Sequence, residues 1–373
     1  MGHDVIKVRG AQHFRQRLLL ATLAGTPMRI DDIRADSSRP GLRDYEASFL
    51  RLLEKLSNGC SVEINETGTK LRYKPGILTG HRELIHDCGT GRPIGYFLES
   101  LLILGLFGKK PLNATLKGIT NGGKDPSMDT FRTTTLPILK HFGVPTESLE
   151  LKVVRRGAPP LGGGEVRVKV PMVATSLTAV TWVDEGMVKR VRGVAYSARV
   201  SPQMSNRMVD AARGVLNPFL PDVYVFTDHA SGVEAGNSPG YGVSLVAETT
   251  SGCLISAEGA AVGGEEEDGD EKVTPLLPED IGSCAAMRLL EEIKEGGVVD
   301  STHQSLLFIL CALCPEDVSK VRVGKLSPHA ILTLRHIKQI LGVQFSIKPD
   351  PSTGTVILTC VGSGYKNIFR KTS

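Results

Sequence analysis

The segment around Lys124 could bind an anion at the start of a helix. A glycine pair precedes it, and Ser127 or Asp129 could cap the helix that follows. The free amides of a helix N-terminus favour negative charge, and Lys124 and Arg132 would add positive charge beside them. The same residues are also typical of a well-capped helix without a ligand, which is the simpler interpretation of this segment alone.

A second candidate segment begins with Arg155 and Arg156. It continues through Gly157 to three successive glycines at 162–164. Glycines permit positive φ and the close approach of a backbone or a phosphate. Adjacent arginines supply forked donors that suit phosphate oxygens. The segment differs from the P-loop of nucleotide-binding proteins, because no Gly-Lys-Ser/Thr follows.

Other residue types that could do chemistry lack partners at the required spacing. Cys311 and Cys314 have the spacing of a zinc or redox pair, but they fall in an apolar helical pattern and no second pair exists. Buried thiols are therefore the favoured interpretation. His303, His329 and His336 belong to no Ser-His-Asp arrangement or nucleophile motif, so we expect surface or capping histidines.

The elements that must position these residues recur three times along the chain. Apolar spacing predicts helices at 17–23, 42–56, 95–107, 127–142, 301–314 and 328–341. Alternation predicts strands at 26–36, 61–65, 70–73, 112–119, 149–156, 165–170, 318–323, 344–348 and 355–360. Three units of similar size indicate an internal structural repeat, although their residues are not similar.

Residues 185–285 do not follow this repeat pattern, which indicates an inserted smaller domain. The pattern there predicts strands at 188–196, 223–227, 241–249 and 253–259, with a helix at 201–216. An acidic, glycine-rich loop without apolar residues follows at 263–271. A helix at 281–295 then begins after Pro278, with acidic residues in its first turn as the helix dipole favours.

Composition indicates a globular chain in a reducing compartment. Of 373 residues, 41% are hydrophobic and 23% are charged, which excludes an intrinsically disordered protein. The longest apolar stretch, at 96–107, contains Glu99 and is too short to span a bilayer, so we expect no membrane partner. No signal-peptide pattern is present. Seven scattered cysteines, an odd number, favour reduced thiols over a disulfide framework.

Charge is distributed unevenly along the chain, although the net value is only +4. Residues 150–213 hold eleven basic against five acidic residues, and residues 317–373 hold nine against two. Residues 258–295 hold twelve acidic against three basic residues. Basic faces beside an acidic insert favour a polyanionic partner, with ordinary solvated surface as the alternative.

Several spaced motifs, in order over nearly the full length, resemble RNA 3′-terminal phosphate cyclases. They are Asp36-Ser-Ser-Arg-Pro-Gly-Leu42, Gly123-Lys-Asp-Pro-Ser127 with Phe131-Arg132, Arg156-Gly157 with Gly162-Gly163-Gly164, Arg192-Gly-Val-Ala195, Ser238-Pro-Gly240 and 278–286. The resemblance implies an α+β fold with a core of three βαβαββ-like repeats and a smaller inserted α/β domain. We predict boundaries at 1–80, 81–184 and 286–373 for the repeats and 185–285 for the insert.

One segment departs from the pattern of active cyclases. Those enzymes adenylylate a histidine, pass the AMP to an RNA 3′-phosphate and close a 2′,3′-cyclic phosphate, using a metal-binding glutamate in an E-G-G-G-Q loop. The matching segment 10–16 is shorter, lacks the glutamate and has Phe14 and Arg15 in place of glycines. The family's A-D-Q segment is Thr-His303-Gln here. His329 lies near the family's nucleophilic histidine, but without metal and nucleotide loop it could not transfer a nucleotide.

These departures are similar to the non-catalytic, cyclase-like branch of the family. The resemblance then implies a factor of the small-subunit processome that supports early pre-rRNA cleavages in the nucleolus, within the nucleus. Its implied partners are a nucleolar GTPase, whose GDP/GTP exchange it promotes, and the pre-rRNA/snoRNP particle. We expect no cofactor, no metal and no catalytic residue. The candidate anion-binding or RNA-binding residues are Lys124, Arg132, Arg155, Arg156 and His329.

An enzyme remains the alternative hypothesis. A diverged member of the family could keep residual cyclase activity, or it could cut pre-rRNA as an endonuclease. That hypothesis places chemistry at Lys124, Arg132, Arg155 or Arg156, whereas a non-catalytic factor would use the same residues to hold a partner.

Overall fold

In a computed structural model, the chain folds into three similar units and a smaller inserted unit. The structure describes residues 5–80, 83–261 and 277–367. The predicted acidic loop at 263–271 lies outside the described residues. Within those ranges, no helix has both the length and the apolar character needed to cross a membrane.

The first repeat contains two helices and a four-stranded sheet. Its elements are β1 (Ile6–Arg9), α1 (Phe14–Ala24), β2 (Met28–Asp31), α2 (Asp44–Leu56), β3 (Ser57–Asn58), β4 (Ser61–Ile64), β5 (Leu71–Lys74) and β6 (Ile77–Leu78). The sheet order is β1-β2-β5-β4, and β3 pairs with β6 in a small separate ribbon.

The second repeat has the same plan. Its elements are β7 (Leu84–Asp87), α3 (Ile94–Leu106), β8 (Leu112–Gly118), α4 (Met128–Thr130), a π-helical turn (Phe131–Thr135), α5 (Leu136–His141), β9 (Glu150–Arg155) and β10 (Gly164–Val170). The sheet order is β7-β8-β10-β9.

An inserted unit interrupts the third repeat after its first strand, β11 (Thr181–Trp182). The inserted elements are β12 (Val188–Ala198), α6 (Gln203–Leu216), β13 (Val223–Ala230), a 3₁₀ turn (Gly232–Glu234), β14 (Gly240–Thr249), β15 (Leu254–Ala260) and α7 (Pro278–Glu295). The sheet order is β13-β12-β14-β15. Both helices pack on one face of this sheet and form a separate apolar core.

The third repeat resumes after the insert. Its remaining elements are α8 (Gln304–Ala312), β16 (Val318–Val323), α9 (Pro328–Leu341), β17 (Ser346–Asp350) and β18 (Thr355–Val361). The sheet order is β11-β16-β18-β17. In each repeat the first strand pairs in parallel with the second, and the remaining pairs are antiparallel. The predicted α+β class with three βαβαββ-like repeats is confirmed.

The first strand of each repeat was not predicted from the sequence. β1, β7 and β11 are four, four and two residues long. Strands this short present too little alternation to be recognised, and pairing with a longer neighbour in the sheet stabilises them. β9 and the C-terminal strands, in contrast, lie close to their predicted bounds.

Helix α9 shows why some bounds were predictable to the residue. Ser327 caps the helix by accepting a hydrogen bond from the amide of Ala330, and Pro328 occupies the first turn. Gly342 ends the helix in the left-handed conformation, with φ of 72°. Both signals are local, so the predicted range 328–341 agrees with the structure.

The main core runs through all three repeats. Every residue of α8 is buried, and in α3 all residues are buried except Glu99. An apolar helix buried on all sides belongs at the centre of a fold. Glu99 therefore marks the side of α3 that faces an opening in the core.

The domain boundaries at 184 and 285 stay predictions. β11 lies before the first boundary, yet it pairs with β16 of the third repeat. Helix α7 crosses the second boundary, and its residues Ile281 and Leu289 both pack in the core of the inserted unit.

Candidate anion-binding cleft and the joint beside it

A cleft of about 490 Å³ opens where the three repeats meet. The start of α1, the middle of α3 and the start of α9 supply its walls. Its lining residues are Ala11, His13, Phe14, Arg15, Gln16, Arg34, Tyr45, Glu46, Arg92, Tyr96, Glu99, Lys124, Asp125, Pro126, Ser301, Thr302, Ser327 and His329. The cleft thus contains the segment 10–16, whose departure from the cyclase pattern was noted in the sequence.

The first turn of α1 places two bulky side chains where the family has glycines. Gly10 and His13 both adopt positive φ, of 74° and 54°. Phe14 turns into the core and is 3% exposed. Arg15 turns into the cleft, where its guanidinium lies 2.6 Å from a carboxylate oxygen of Glu99 and donates to the carbonyl of Tyr96. Side chains of α1 and α3 therefore fill the space beside the loop that precedes α1.

His329 reaches the same cleft from the first turn of α9. The side-chain amide nitrogen of Gln16 lies 2.8 Å from Nε2 of His329 and 2.9 Å from the hydroxyl of Thr333. The Gln16 carbonyl oxygen lies 3.2 Å from Nδ1 of His13. This pattern is satisfied when the amide donates to His329, so that Nε2 of His329 is an unprotonated acceptor.

Three imidazoles cluster here, and their surroundings lower the pKa of each. The ring of His13 lies 4.8 Å from that of His329 and 5.7 Å from that of His336. Desolvation lowers the pKa of His13 and of His329, and the positive charge of Arg15 acts in the same direction. Burial, with Arg17 nearby, lowers the pKa of His336 to about 4. A lowered pKa disfavours the protonated ring and so disfavours a positive charge that could attract an anion.

The fixed cations of the cleft are mostly paired with carboxylates. Besides Arg15, Arg34 makes a two-pronged contact with Glu46 at 2.7 Å, and Arg92 lies 2.8 Å from Asp125. Arg92 also lies over the rings of two tyrosines, Tyr45 and Tyr96. Lys124 is exposed, and among the described residues no carboxylate lies within ion-pair distance of it. Lys124 is thus the cleft cation best placed to meet an added anion.

The helix N-terminus predicted to bind an anion holds a carboxylate of the protein itself. The backbone amide of Ser127 lies 3.1 and 3.2 Å from the two oxygens of Glu258, which belongs to β15 of the inserted unit. Thr130 donates to the same carboxylate at 2.6 Å. Desolvation raises the pKa of Glu258, while these hydrogen bonds oppose the rise. The Ser127 hydroxyl also caps the helix as expected, by accepting from the Thr130 amide.

At the second candidate segment, Arg156 likewise binds carboxylates of the protein itself. It is 5% exposed and lies 2.7 Å from Asp129 of the second repeat and 2.7 Å from Asp228 of the inserted unit. Its guanidinium also lies over the ring of Tyr196, at 5.0 Å. The two carboxylates raise the pKa of Arg156, and Arg156 in turn lowers that of Asp129. Arg156 joins the inserted unit to the second repeat.

The glycines at 162–164 lie at the same joint, which is the contact between the second repeat and the inserted unit. Gly163 has φ of 78°, and a Cβ there would lie 2.7 Å from the side chain of Asn237. A Cβ on Gly164 would lie 2.8 Å from the carbonyl of Gly118. The close approach expected from the sequence is therefore made by the backbone of the protein itself.

The five predicted site residues fall into three places. Lys124 and His329 line the cleft. Arg132 and Arg156 meet at Asp129, where Arg132 is half exposed and Arg156 is buried. Arg155 is exposed at the end of β9. Their role as anion or RNA contacts stays a prediction.

One histidine expectation was wrong, because His336 is buried, at 7% exposure, inside α9 and not at a surface or capping position. His303 stands at the N-cap position of α8, as one of the two expected positions, but it is 3% exposed and its side chain makes no capping hydrogen bond. The ring of His303 lies 2.7 Å from Asp300, which raises its pKa, and 2.8 Å from the hydroxyl of Thr135. Partners from distant segments satisfy these rings, and the sequence around each histidine carries no sign of them. His329 is exposed, as expected.

Cys311 and Cys314 are buried in and just after α8, as predicted. Burial raises the pKa of both thiols. Over residues 5–80, 83–261 and 277–367, no group of histidine, cysteine or acidic residues could hold a metal ion. The ion pairs of Arg15, Arg34 and Arg92 were missed by sequence reasoning, because each joins residues from separate elements.

Comparison with known proteins gives a consistent result. Residues 6–347 match the family described as RNA 3′-terminal phosphate cyclase. The chain is similar to a probable RNA 3′-terminal phosphate cyclase-like protein of Arabidopsis thaliana, with 58% identity over 98% of this chain and 99% of the relative. It is 52% identical to an RNA 3′-terminal phosphate cyclase-like protein of Homo sapiens, over 97% of this chain and 96% of the relative. It is 45% identical to the rRNA processing protein rcl1 of Schizosaccharomyces pombe, over 98% of each chain. These comparisons confirm the resemblance predicted from the spaced motifs.

Proposed function

This chain belongs to the RNA 3′-terminal phosphate cyclase family, and from that premise we propose that it is a non-catalytic factor in pre-rRNA processing. Similarity to the rRNA processing protein of Schizosaccharomyces pombe supports the process. In this proposal the protein acts in the nucleolus, within the small-subunit processome. There it contacts the pre-rRNA/snoRNP particle, supports early cleavages, and binds a nucleolar GTPase whose GDP/GTP exchange it promotes.

The contact between Gln16 and His329 is the observation that carries the non-catalytic half of the proposal. A histidine that attacks a nucleotide phosphate needs a free nitrogen lone pair. The Nε2 lone pair of His329 faces the amide of Gln16 at 2.8 Å. Since Gln16 is 1% exposed and is also held by Thr333, the amide is not free to swing away. The imidazole is thereby tied to the protein instead of to a substrate.

The Arg15–Glu99 pair supports the same conclusion. A metal–triphosphate complex requires carboxylate or water ligands on the metal and open backbone amides for the phosphates. The matching loop offers Arg15, whose charge would repel the metal and whose side chain is held at 2.6 Å by Glu99. The carboxylate of Glu99 is therefore already paired and less able to hold a metal.

The two segments that were predicted to bind an anion, around Lys124 and from Arg155 onward, support a role as a scaffold. Ser127 binds Glu258, and Arg156 binds Asp129 and Asp228. Groups that could contact phosphate instead fix the inserted unit to the second repeat. A rigid arrangement of units suits a protein that holds partners in a defined orientation.

Incubation with labelled ATP and magnesium tests the absence of catalysis. We expect no covalent nucleotide on the purified full chain, and the same result for the His329→Ala variant. An active member of the family serves as the positive control. Labelling of the wild-type chain that disappears in His329→Ala would overturn the non-catalytic proposal.

Replacement in cells tests the process itself. Depletion of the endogenous protein should cause uncleaved small-subunit precursors to accumulate, and expression of His329→Ala should restore cleavage as fully as the wild-type chain. Affinity capture of the tagged chain should recover a GTPase, and adding the chain should speed GDP release from it. Normal precursor cleavage after depletion would refute the proposal.

A pre-rRNA endonuclease or residual cyclase is the second candidate. One observation favours it: exposed Lys124 and the His329 ring line the same cleft. It predicts that purified protein cuts a pre-rRNA fragment and that Lys124→Ala abolishes the cut. If Lys124→Ala leaves processing in cells intact, this candidate loses its best site.

A further inference from the structure

The inserted unit displays two aromatic rings on an uncovered part of its sheet. Val223 and Val225 of β13 point into the core beneath the helices, so the alternate residues Tyr224 and Phe226 point to the opposite face. Each ring is 55% exposed. Their centroids lie 4.6 Å apart with the planes at 80°. Large exposed rings on a regular strand are displayed rigidly, so little conformational entropy is lost when they bind.

The second repeat covers another part of that face. Toward β14 and β15, Ser244 contacts Thr130 and Glu258 contacts Ser127, which docks the sheet on the second repeat. β13 is the edge strand at the other side of the sheet. The uncovered part is therefore bounded by the docked strands on one side and by the sheet edge on the other.

Charged groups surround the two rings. Arg192 lies opposite Tyr224 in the register of β12 and β13, and it pairs with Asp222 at 2.8 Å. Arg190 precedes it by two residues on β12 and pairs with Glu248 at 2.6 Å. These ion pairs are partly exposed and so contribute less to stability than buried pairs, which leaves the guanidinium groups able to exchange a carboxylate for a phosphate. The patch consists of two rings beside two exchangeable arginines.

We propose that this patch, defined as Tyr224 and Phe226 with Arg190 and Arg192, is a binding platform for single-stranded RNA. Bases stack on the two rings, and the phosphates between them meet the arginines. The inference rests on the proposed function, which supplies an RNA, and deepens it by naming the surface. A protein partner would need a broader apolar area, because the core of a protein interface is depleted in charge. Here Asp222 and Asp228 each stand two residues from a ring along the chain, and both carboxylates are paired with arginines.

Fluorescence anisotropy with a labelled oligouridine and the purified full chain tests the platform. We expect each ring-deleting substitution, Tyr224→Ala or Phe226→Ala, to weaken binding by about 10-fold, the effect of losing one stacked base. Tyr224→Phe keeps the ring and should bind as the wild type. Phe226→Leu keeps apolar volume without a ring and should bind as weakly as Phe226→Ala.

Phe219→Ala is the matched control. Phe219 is 70% exposed but follows α6, off the strand. All variants should unfold at the wild-type temperature, since the substituted rings are mostly exposed. Binding lost equally in Phe219→Ala, or retained in both alanine variants of β13, would overturn the platform.

The remaining outcomes separate this inference from the proposed function. If the wild-type chain binds no oligouridine while its depletion still blocks precursor cleavage, the platform is refuted and the function stands. If the β13 variants bind RNA normally but no longer capture the GTPase, the patch is a protein-binding surface and the platform is likewise refuted. RNA binding that falls only in the ring-deleting variants supports it.

Discussion

The carboxylate of Glu258 lies 3.1 Å from the backbone nitrogen of Ser127, at the N-terminus of a helix whose sequence suggested a site for an external anion. The two residues are 131 positions apart and belong to different units of the fold. A helix N-terminus attracts negative charge whatever its source. Here the inserted unit supplies that charge.

Glu258→Ala should destabilise the protein, because it leaves the Ser127 amide and the Thr130 hydroxyl without their acceptor. A buried donor left unsatisfied costs about 1–3 kcal/mol in free energy of unfolding. Glu258→Gln keeps one acceptor oxygen and should cost less. Urea denaturation of both variants measures the difference, and equal losses would show that the hydrogen bonds to the carboxylate do not matter.

Arg156→Ala should be more damaging, because it leaves the buried Asp129 with only the 3.5 Å contact to Arg132 as an ion pair. Removing one partner of a buried ion pair costs about 3–5 kcal/mol. The adjacent Arg155 is exposed, so Arg155→Ala should change the free energy of unfolding by no more than about 0.5 kcal/mol. Chemical denaturation of the two neighbouring variants provides the comparison. Similar losses in both would contradict the assignment of Arg156 to the joint.

Acidification should destabilise the protein through His336. Its pKa in the folded chain is about 4, below the value of 6.5 for a free histidine. Between pH 6.5 and 4 the unfolded chain therefore binds the extra proton, and the free energy of unfolding falls as pH falls, by about 3 kcal/mol. His336→Gln should flatten this part of the profile relative to the wild type. Parallel profiles over that range would indicate that His336 is already protonated when folded.

One thiol should react much faster than the others. Cys284 is exposed, Cys60 is half-buried, and the remaining five cysteines are buried. A thiol-specific chromogenic disulfide should modify one cysteine rapidly in the native chain and all seven after unfolding. Cys284→Ser should remove the rapid phase. A rapid phase that persists in this variant would place an accessible thiol elsewhere.

The sequence predicted the repeat plan and the bounds of α9 because both depend on local signals, namely apolar spacing, a serine cap and a terminating glycine. It also predicted Lys124 and His329 as candidates, and the structure brings both to one cleft. It could not predict that Arg156 would be buried, because its partners lie 27 and 72 positions away. The proximity of the β12 arginines to the aromatic rings of β13 could not be predicted either, because only the register of the two strands brings them together.

The split of the third repeat has a consequence for synthesis on the ribosome. Residues beside β11 contact β16 across 139 positions of chain, as in the contact between Val183 and Arg322. At roughly 5–20 residues per second, about 7 to 28 seconds pass between the emergence of the two strands. During that interval the inserted unit can complete its own core while the first strand of the third sheet waits unpaired. An exposed strand edge is a site for aggregation, so newly made chains depend on rapid completion of their C-terminal quarter.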